Sequence, residues 1–263
     1  MPYKDKEKQK EYQQNHYQRN RDSVAIRTQQ RRIEAKESAM KSLQTKTIVD
    51  MRLFNLWFND KDKIETYELS SMDAFELMIK DCFYCGDFAI TLDRLDSSLS
   101  HTIENCVGCC EFCNSSKGSA DPLTFILRSV YRRTFIYYED DDIWHNNKNH
   151  PRLDGYKKHA DTQNRSFEIT KEYFKKMVVS QCHYCRRHPP ANKFFGIDKI
   201  YPDDGYTLDN CVTACASCNR DKWKYTLDEF TLRDERITTR YLAGYFKDLP
   251  QVPKNICHQF QKT

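Results

Sequence analysis

The stretch CEFCNSSKG at residues 110–118 sets two cysteines three apart, with an asparagine behind the second and a lysine three further on. CASCNRDKW at 215–223 repeats those letters at the same spacing. One such string is weak information, but two imply a shared mechanism. The repetition extends outward from both strings. Residues 67–85 align without gaps on 167–185 at an offset of 100, and 92–117 align on 197–222 at an offset of 105. The difference of five is one insertion within RRHPPANKFFG. A unit of about 55 residues therefore occurs twice, which makes the duplication the first fact to explain.

Composition narrows the class. The chain has 263 residues, 39% of them hydrophobic, 30% charged and only 7 glycine. That is polar for one large, well-filled globule, so small domains with a further source of stability are expected. The net charge of +4 is unevenly placed: residues 1–47 hold twelve Lys and Arg against six Asp and Glu. A basic N-terminal arm fits contact with nucleic acid or another anionic surface, and equally a solvated helix. Twelve cysteines are dense. With no apparent signal peptide and no apolar run of membrane length, the expectation is an intracellular, reducing compartment, nucleus or cytoplasm, and not secretion or a membrane. There, clustered thiols bind metal more often than they form disulfides.

Each copy reads as an α+β module. A short strand at 67–69 or 167–169 meets Ser70 or Thr170, both good helix N-caps, and then an apolar-periodic helix. A tight Cys-x-x-Cys turn follows. AITLDRL and FFGIDKI read as strands, a second strand lies near Asn105 or Asn210, and CxxCN opens another helix. The domain division is a basic arm at 1–47, helical or disordered, a first module at 48–135 and an acidic to polar linker at 136–165. A second module follows at 166–235, then a C-terminal helix and tail at 236–263. Arginines 233, 236 and 240 share one face of the helical-looking stretch LRDERITTRYLAGYF at 232–246, a pattern that ordinarily means solvation.

Two Cys-x-x-Cys pairs per copy match a structural zinc site, because each tight turn aims two thiolates at one tetrahedral ion. The assigned ligands are Cys82, Cys85, Cys110 and Cys113 in copy one, and Cys182, Cys185, Cys215 and Cys218 in copy two. Two structural Zn²⁺ ions per chain are expected. Cys106 and Cys211 hold matching positions and read as small buried residues. Cys109 faces Ala214 in the alignment and forms a rival pair with Cys106.

CFYCG, TLDRL and ENCVGCCEFCNSSK together resemble the zinc-bearing branch of the HNH endonucleases, the strand–strand–helix metal-nuclease fold shared by junction-resolving and virus-encoded enzymes. The resemblance covers roughly 67–120 and 167–225. It implies that each module is a ββα-metal unit. It further implies that Asp93 with Asn114, and Asp198 with Asn219, ligate a catalytic Mg²⁺ or Mn²⁺, a donor set that suits hard cations. Asn105 and Asn210 match the motif's middle asparagine, which in the family braces the loop between the strands. The chain departs from the pattern directly after each aspartate, where Arg94 and Lys199 replace the usual general-base histidine. Arginine is not a conventional base; both side chains could instead grip phosphate. His101, which stands opposite Tyr206, is the candidate substitute base. Lys117 and Lys222 fit either phosphate contact or solvation.

The leading expectation is a Mg²⁺-dependent endonuclease acting on nucleic acid, DNA before RNA, with copy one the better-equipped site. The alternatives are a catalytically degenerate zinc-module protein that binds DNA or RNA, and a structural zinc scaffold.

Overall fold

The computed structural model describes residue 30 and residues 69–78, 80–136, 143–144 and 151–256. The expected arm at 1–47, the apolar segment 48–58 and Cys257 lie outside or almost wholly outside them. The elements, in chain order, are α1 (Ser71–Met78), β1 (Thr91–Arg94), β2 (Cys106–Cys109), α2 (Glu111–Lys117), α3 (Pro122–Thr134), α4 (Leu153–Thr162), α5 (Lys171–Val178), β3 (Gly196–Lys199), β4 (Cys211–Ala214), α6 (Ala216–Lys222) and α7 (Leu227–Leu242). Among the described residues the architecture is α+β with two small sheets. From residue 69 onward the described residues divide into two compact units, one lying within 69–130 and 233–256 and the other within 131–232. The chain passes between them inside α3 and again inside α7, so the expected boundary between residues 235 and 236 falls within a continuous helix.

In the first unit, α1 begins where Ser70 Oγ accepts from the Asp73 amide at 3.1 Å, while the Asp73 carboxylate accepts from the Ser70 hydroxyl. This reciprocal cap satisfies donors that the first helical turn leaves unpaired. Ala74 and Met78 then pack with Leu69 and Leu92. The β1–β2 hairpin is antiparallel, with Asp93 opposite Val107 and Arg94 opposite Cys106. Gly108 on β2 is fixed by proximity: a Cβ there would lie 2.0 Å from the Leu77 carbonyl oxygen of α1. The second copy solves the same contact differently, since Thr213 Oγ1 donates to the Met177 carbonyl at 2.8 Å.

The second unit repeats this plan. Thr170 caps α5 through its hydroxyl, and β3 pairs antiparallel with β4, placing Asp198 opposite Val212. Phe167 forms only an isolated bridge to Tyr206 rather than a strand. The 136–165 region, expected as a linker, contains α4, whose Ala160 is buried in a core with Ile169, Phe174, Met177, Val178 and Ile197. Its short, mixed composition hid an apolar face made of Leu153, Tyr156 and Ala160.

The arginines of α7 are structural. In the first unit Arg233 is buried and its guanidinium lies 4.3 Å from the Phe112 ring centroid. Arg236 pairs with Asp87 at 3.2 Å, and Arg240 stacks 3.6 Å over Tyr245. The expected solvated face is therefore largely covered, because long aliphatic stems and planar guanidinium groups pack well on aromatic surfaces.

Candidate metal centres and the buried aspartates

Each Cys-x-x-Cys turn is built by backbone geometry. The Gly86 amide donates to the Cys82 carbonyl at 2.9 Å, and the Arg186 amide to the Cys182 carbonyl at 3.0 Å. Both turn residues take positive φ, 72° for Gly86 and 61° for Arg186. The second pair sits at a helix start, where Cys110 and Cys215 are the N-caps of α2 and α6 and accept through sulfur from the Cys113 and Cys218 amides, each at 3.4 Å.

Hairpin and helix thus bring four sulfurs together in each unit. The Sγ atoms of Cys82, Cys85, Cys110 and Cys113 lie within 4.8 Å of one another, as do those of Cys182, Cys185, Cys215 and Cys218. The Cys85–Cys110 and Cys185–Cys215 separations are 3.7 and 3.9 Å. A tetrahedron with Zn–S bonds of 2.3 Å has edges of about 3.8 Å, so the donor sets fit zinc. They are far too long for disulfides, and these cysteines are free. Cys109 lies 3.9 Å from Cys82 but outside the tetrad. Both tetrads can hold zinc.

The metal-free clusters are electrostatically asymmetric. Burial pushes the Cys82 and Cys182 thiols up, yet hydrogen bonds from their neighbours outweigh it and hold both well below the usual thiol range. Burial raises Cys113 and Cys218, and hydrogen bonding to the other thiols adds to it. Cys110 and Cys215 are also raised. In each cluster one thiolate is therefore favoured while the two cysteines of the helix pair are held protonated; a divalent ion reverses that by deprotonating its thiol ligands.

The aspartates assigned to a catalytic ion are buried and already engaged. Asp93, 3% exposed, accepts from the Tyr84 hydroxyl at 2.6 Å and pairs with Lys117 Nζ at 3.0 Å. Lys117 is fully buried and also donates to the Arg94 carbonyl at 2.8 Å. The second unit reproduces this constellation. Tyr184 donates to Asp198 at 2.5 Å, Lys222 pairs with it at 3.1 Å, and Lys222 donates to the Lys199 carbonyl at 2.7 Å. Burial is the chief force raising the Asp93 and Asp198 carboxyls above the usual carboxylate range, against the pull of Lys117 and Lys222. It also raises the Tyr84 and Tyr184 hydroxyls, which stay protonated and serve as donors. Lys117 and Lys222, expected to reach phosphate or solvent, do neither.

The remaining expected site residues are placed as follows. The Asn114 side-chain amide donates to the Leu92 carbonyl at 2.9 Å and to Thr91 Oγ1 at 3.2 Å, so its nitrogen ties α2 to β1. Asn219 occupies the matching place in α6, its backbone amide donating to Cys215 at 3.0 Å. Arg94 donates to the Leu99 carbonyl at 2.8 Å, and Lys199 to the Pro202 and Asp204 carbonyls. Both side chains brace their own hairpin turns. His101 is buried, like Tyr206 at the equivalent position, whose ring packs against Tyr156 and Phe167. Asn105 donates to the Asp96 and Ser100 carbonyls and accepts from the Asp96 amide; Asn210 does the same with Tyr201 and Gly205.

Sequence reasoning missed the tyrosines as partners of the aspartates. The available signal was their recurrence: Tyr84 and Tyr184 align, as do Lys117 and Lys222.

No protein-family profile and no solved structure matches the chain. The chain is 26% identical over 174 residues to the uncharacterized protein R423 of Acanthamoeba polyphaga mimivirus, a match covering 64% of this chain and 33% of that protein. The matched region spans about a third of the viral protein's length. Among the described residues, no helix is long and apolar enough to cross a membrane.

Proposed function

We propose that the protein is a zinc-stapled, nucleic-acid-binding protein made of two HNH-like hairpin–helix modules whose catalytic-metal positions are closed by lysine. One observation carries this reading: the buried Lys117–Asp93 pair and its repeat, Lys222–Asp198. Mg²⁺ requires oxygen ligands at about 2.0–2.1 Å in near-octahedral geometry and keeps several waters. Here an ammonium already neutralises each aspartate, and burial leaves little room for a hydrated cation. Expelling the lysine would strand a charge that its own backbone-carbonyl bonds hold in place. The missing histidines point the same way, since Arg94 and Lys199 are committed to carbonyls. The resemblance to HNH proteins and the basic composition of residues 1–47 support nucleic acid, DNA before RNA, as the partner.

The endonuclease reading rests on a different observation: Asn114 bonds to the residue preceding Asp93, so both ligand candidates meet at one strand–helix junction. A single experiment separates the two. The zinc-loaded 263-residue chain is incubated with supercoiled plasmid, single-stranded and branched DNA in Mg²⁺ or Mn²⁺, beside Asp93→Ala and Asp198→Ala. The expected result is no cleavage, with retardation of the DNA that weakens as salt rises. Cleavage that disappears with either alanine variant establishes the nuclease. Neither cleavage nor retardation leaves a structural zinc scaffold.

A further inference from the structure

The loop that follows α6 differs from its counterpart in a way the fold does not require. Both helices end on a residue in the left-handed region whose amide donates back to the asparagine carbonyl, Gly118 at φ 53° and Trp223 at φ 51°. The two bonds, Gly118 to Asn114 and Trp223 to Asn219, measure 2.9 and 3.0 Å. Glycine enters that region freely, whereas a bulky L-residue rarely does. The first module thus makes the same turn without strain. In the second module a tryptophan holds the strained position and gains little burial, since 44% of it stays exposed. Backbone strain that the fold does not need points to a use for the side chain.

Its surroundings indicate the use. The Tyr225 ring lies 6.3 Å from the Trp223 ring, tilted by 53°. The exposed Lys224 places its ammonium 4.7 Å from the Trp223 centroid and 6.0 Å from that of Tyr225. The sequence at 222–225 is KWKY, against KGSA at 117–120, so the copy that aligns with it has none of these rings. We infer that Trp223, Lys224 and Tyr225 form a stacking platform for unpaired bases of a single-stranded nucleic acid. This rests on the nucleic-acid-binding reading above and adds the form of nucleic acid and the place where it binds. An indole face accepts any base by stacking, and an adjacent ammonium suits the neighbouring phosphate. Bases inside a duplex are stacked on each other and offer no free face, so the platform selects single strands.

The test measures fluorescence anisotropy of labelled oligo(dT), oligo(rU) and a duplex of matched length with the full zinc-loaded chain and its Trp223→Gly, Trp223→Phe and Lys224→Ala variants. Glycine is what the first module uses at this turn, so Trp223→Gly is expected to keep its zinc content and thermal midpoint. It is expected to weaken single-strand binding by roughly 5- to 150-fold, the range typical of losing one stacked base. Trp223→Phe retains most of the affinity, Lys224→Ala lowers affinity and makes single-strand binding less sensitive to salt, and duplex binding is unchanged throughout. A preference between oligo(dT) and oligo(rU) decides whether the strand is DNA or RNA. Wild-type affinity in Trp223→Gly, or an equal fall for duplex and single strand, overturns the platform while leaving nucleic-acid binding intact. Failure of the wild-type protein to bind any of the three overturns both readings.

Discussion

At the residue scale, each unit buries one aspartate against a lysine, Asp93 with Lys117 and Asp198 with Lys222. Burial raises the Asp198 carboxyl and lowers the Lys222 ammonium, so desolvation opposes the charged form of both partners. Such a pair adds little net stability, yet breaking it leaves an uncompensated buried charge. Lys117→Met is therefore expected to lower the unfolding free energy by about 3–5 kcal/mol, with Asp93→Asn in the same chain recovering most of the loss. Urea denaturation of the two variants and wild type checks this. A raised folded-state pKa means that the folded chain holds the Asp198 proton more tightly than the unfolded chain. The ionised carboxylate thus detracts from stability as pH rises from the ordinary carboxylate pKa through the raised one, and the effect is constant above it. Whatever their offset, the stability curve of Asp198→Asn should gain on wild type across that window. Parallel curves would show that Asp198 titrates as an ordinary carboxyl.

At the scale of elements, each hairpin is closed by one asparagine side chain making three hydrogen bonds across the turn, Asn105 in the first unit and Asn210 in the second. With each bond worth about 1 kcal/mol net, Asn105→Ala or Asn210→Ala is expected to cost about 2–3 kcal/mol. Chemical denaturation measures the loss, and hydrogen exchange should place it in the mutated hairpin. The strand–strand–helix order, the caps at Ser70 and Thr170 and the helices opened by CxxCN were legible from the alignment of the two copies. The helix α4 was not, because ten residues of mixed polarity show their apolar face only once Ala160 meets Phe174 and Ile197. The roles of Arg94 and Lys199 were equally hidden. Their partners are backbone carbonyls five or fewer residues away, and carbonyls carry no sequence signature.

For the whole molecule, two sulfur tetrads that can hold zinc would let metal supply much of the folding free energy. Structural zinc is worth roughly 10–16 kcal/mol in small peptides at neutral pH. Elemental analysis should find two zinc ions per chain, and a strong chelator should remove them with loss of cooperative unfolding. Because four of the thiols are held protonated in the metal-free clusters, zinc binding releases protons and weakens as pH falls. A chromophoric chelator should accordingly strip the ions faster at acid pH. Cys110→Ser should cost the first unit its zinc while the second retains its own.

By itself the sequence determined the duplication, the two tetrads and the α+β class. Ligand spacing, repeated letters and apolar periodicity are properties of neighbours along the chain, and they survive without coordinates. Only the tertiary structure decided what the tetrads leave beside them. Asp93 and Lys117 stand 24 residues apart, and only the crossing of α2 over β1 brings carboxylate and ammonium to 3.0 Å. Burial, which no residue carries in its name, then encloses that contact: Asp93 is 3% exposed and Lys117 fully buried.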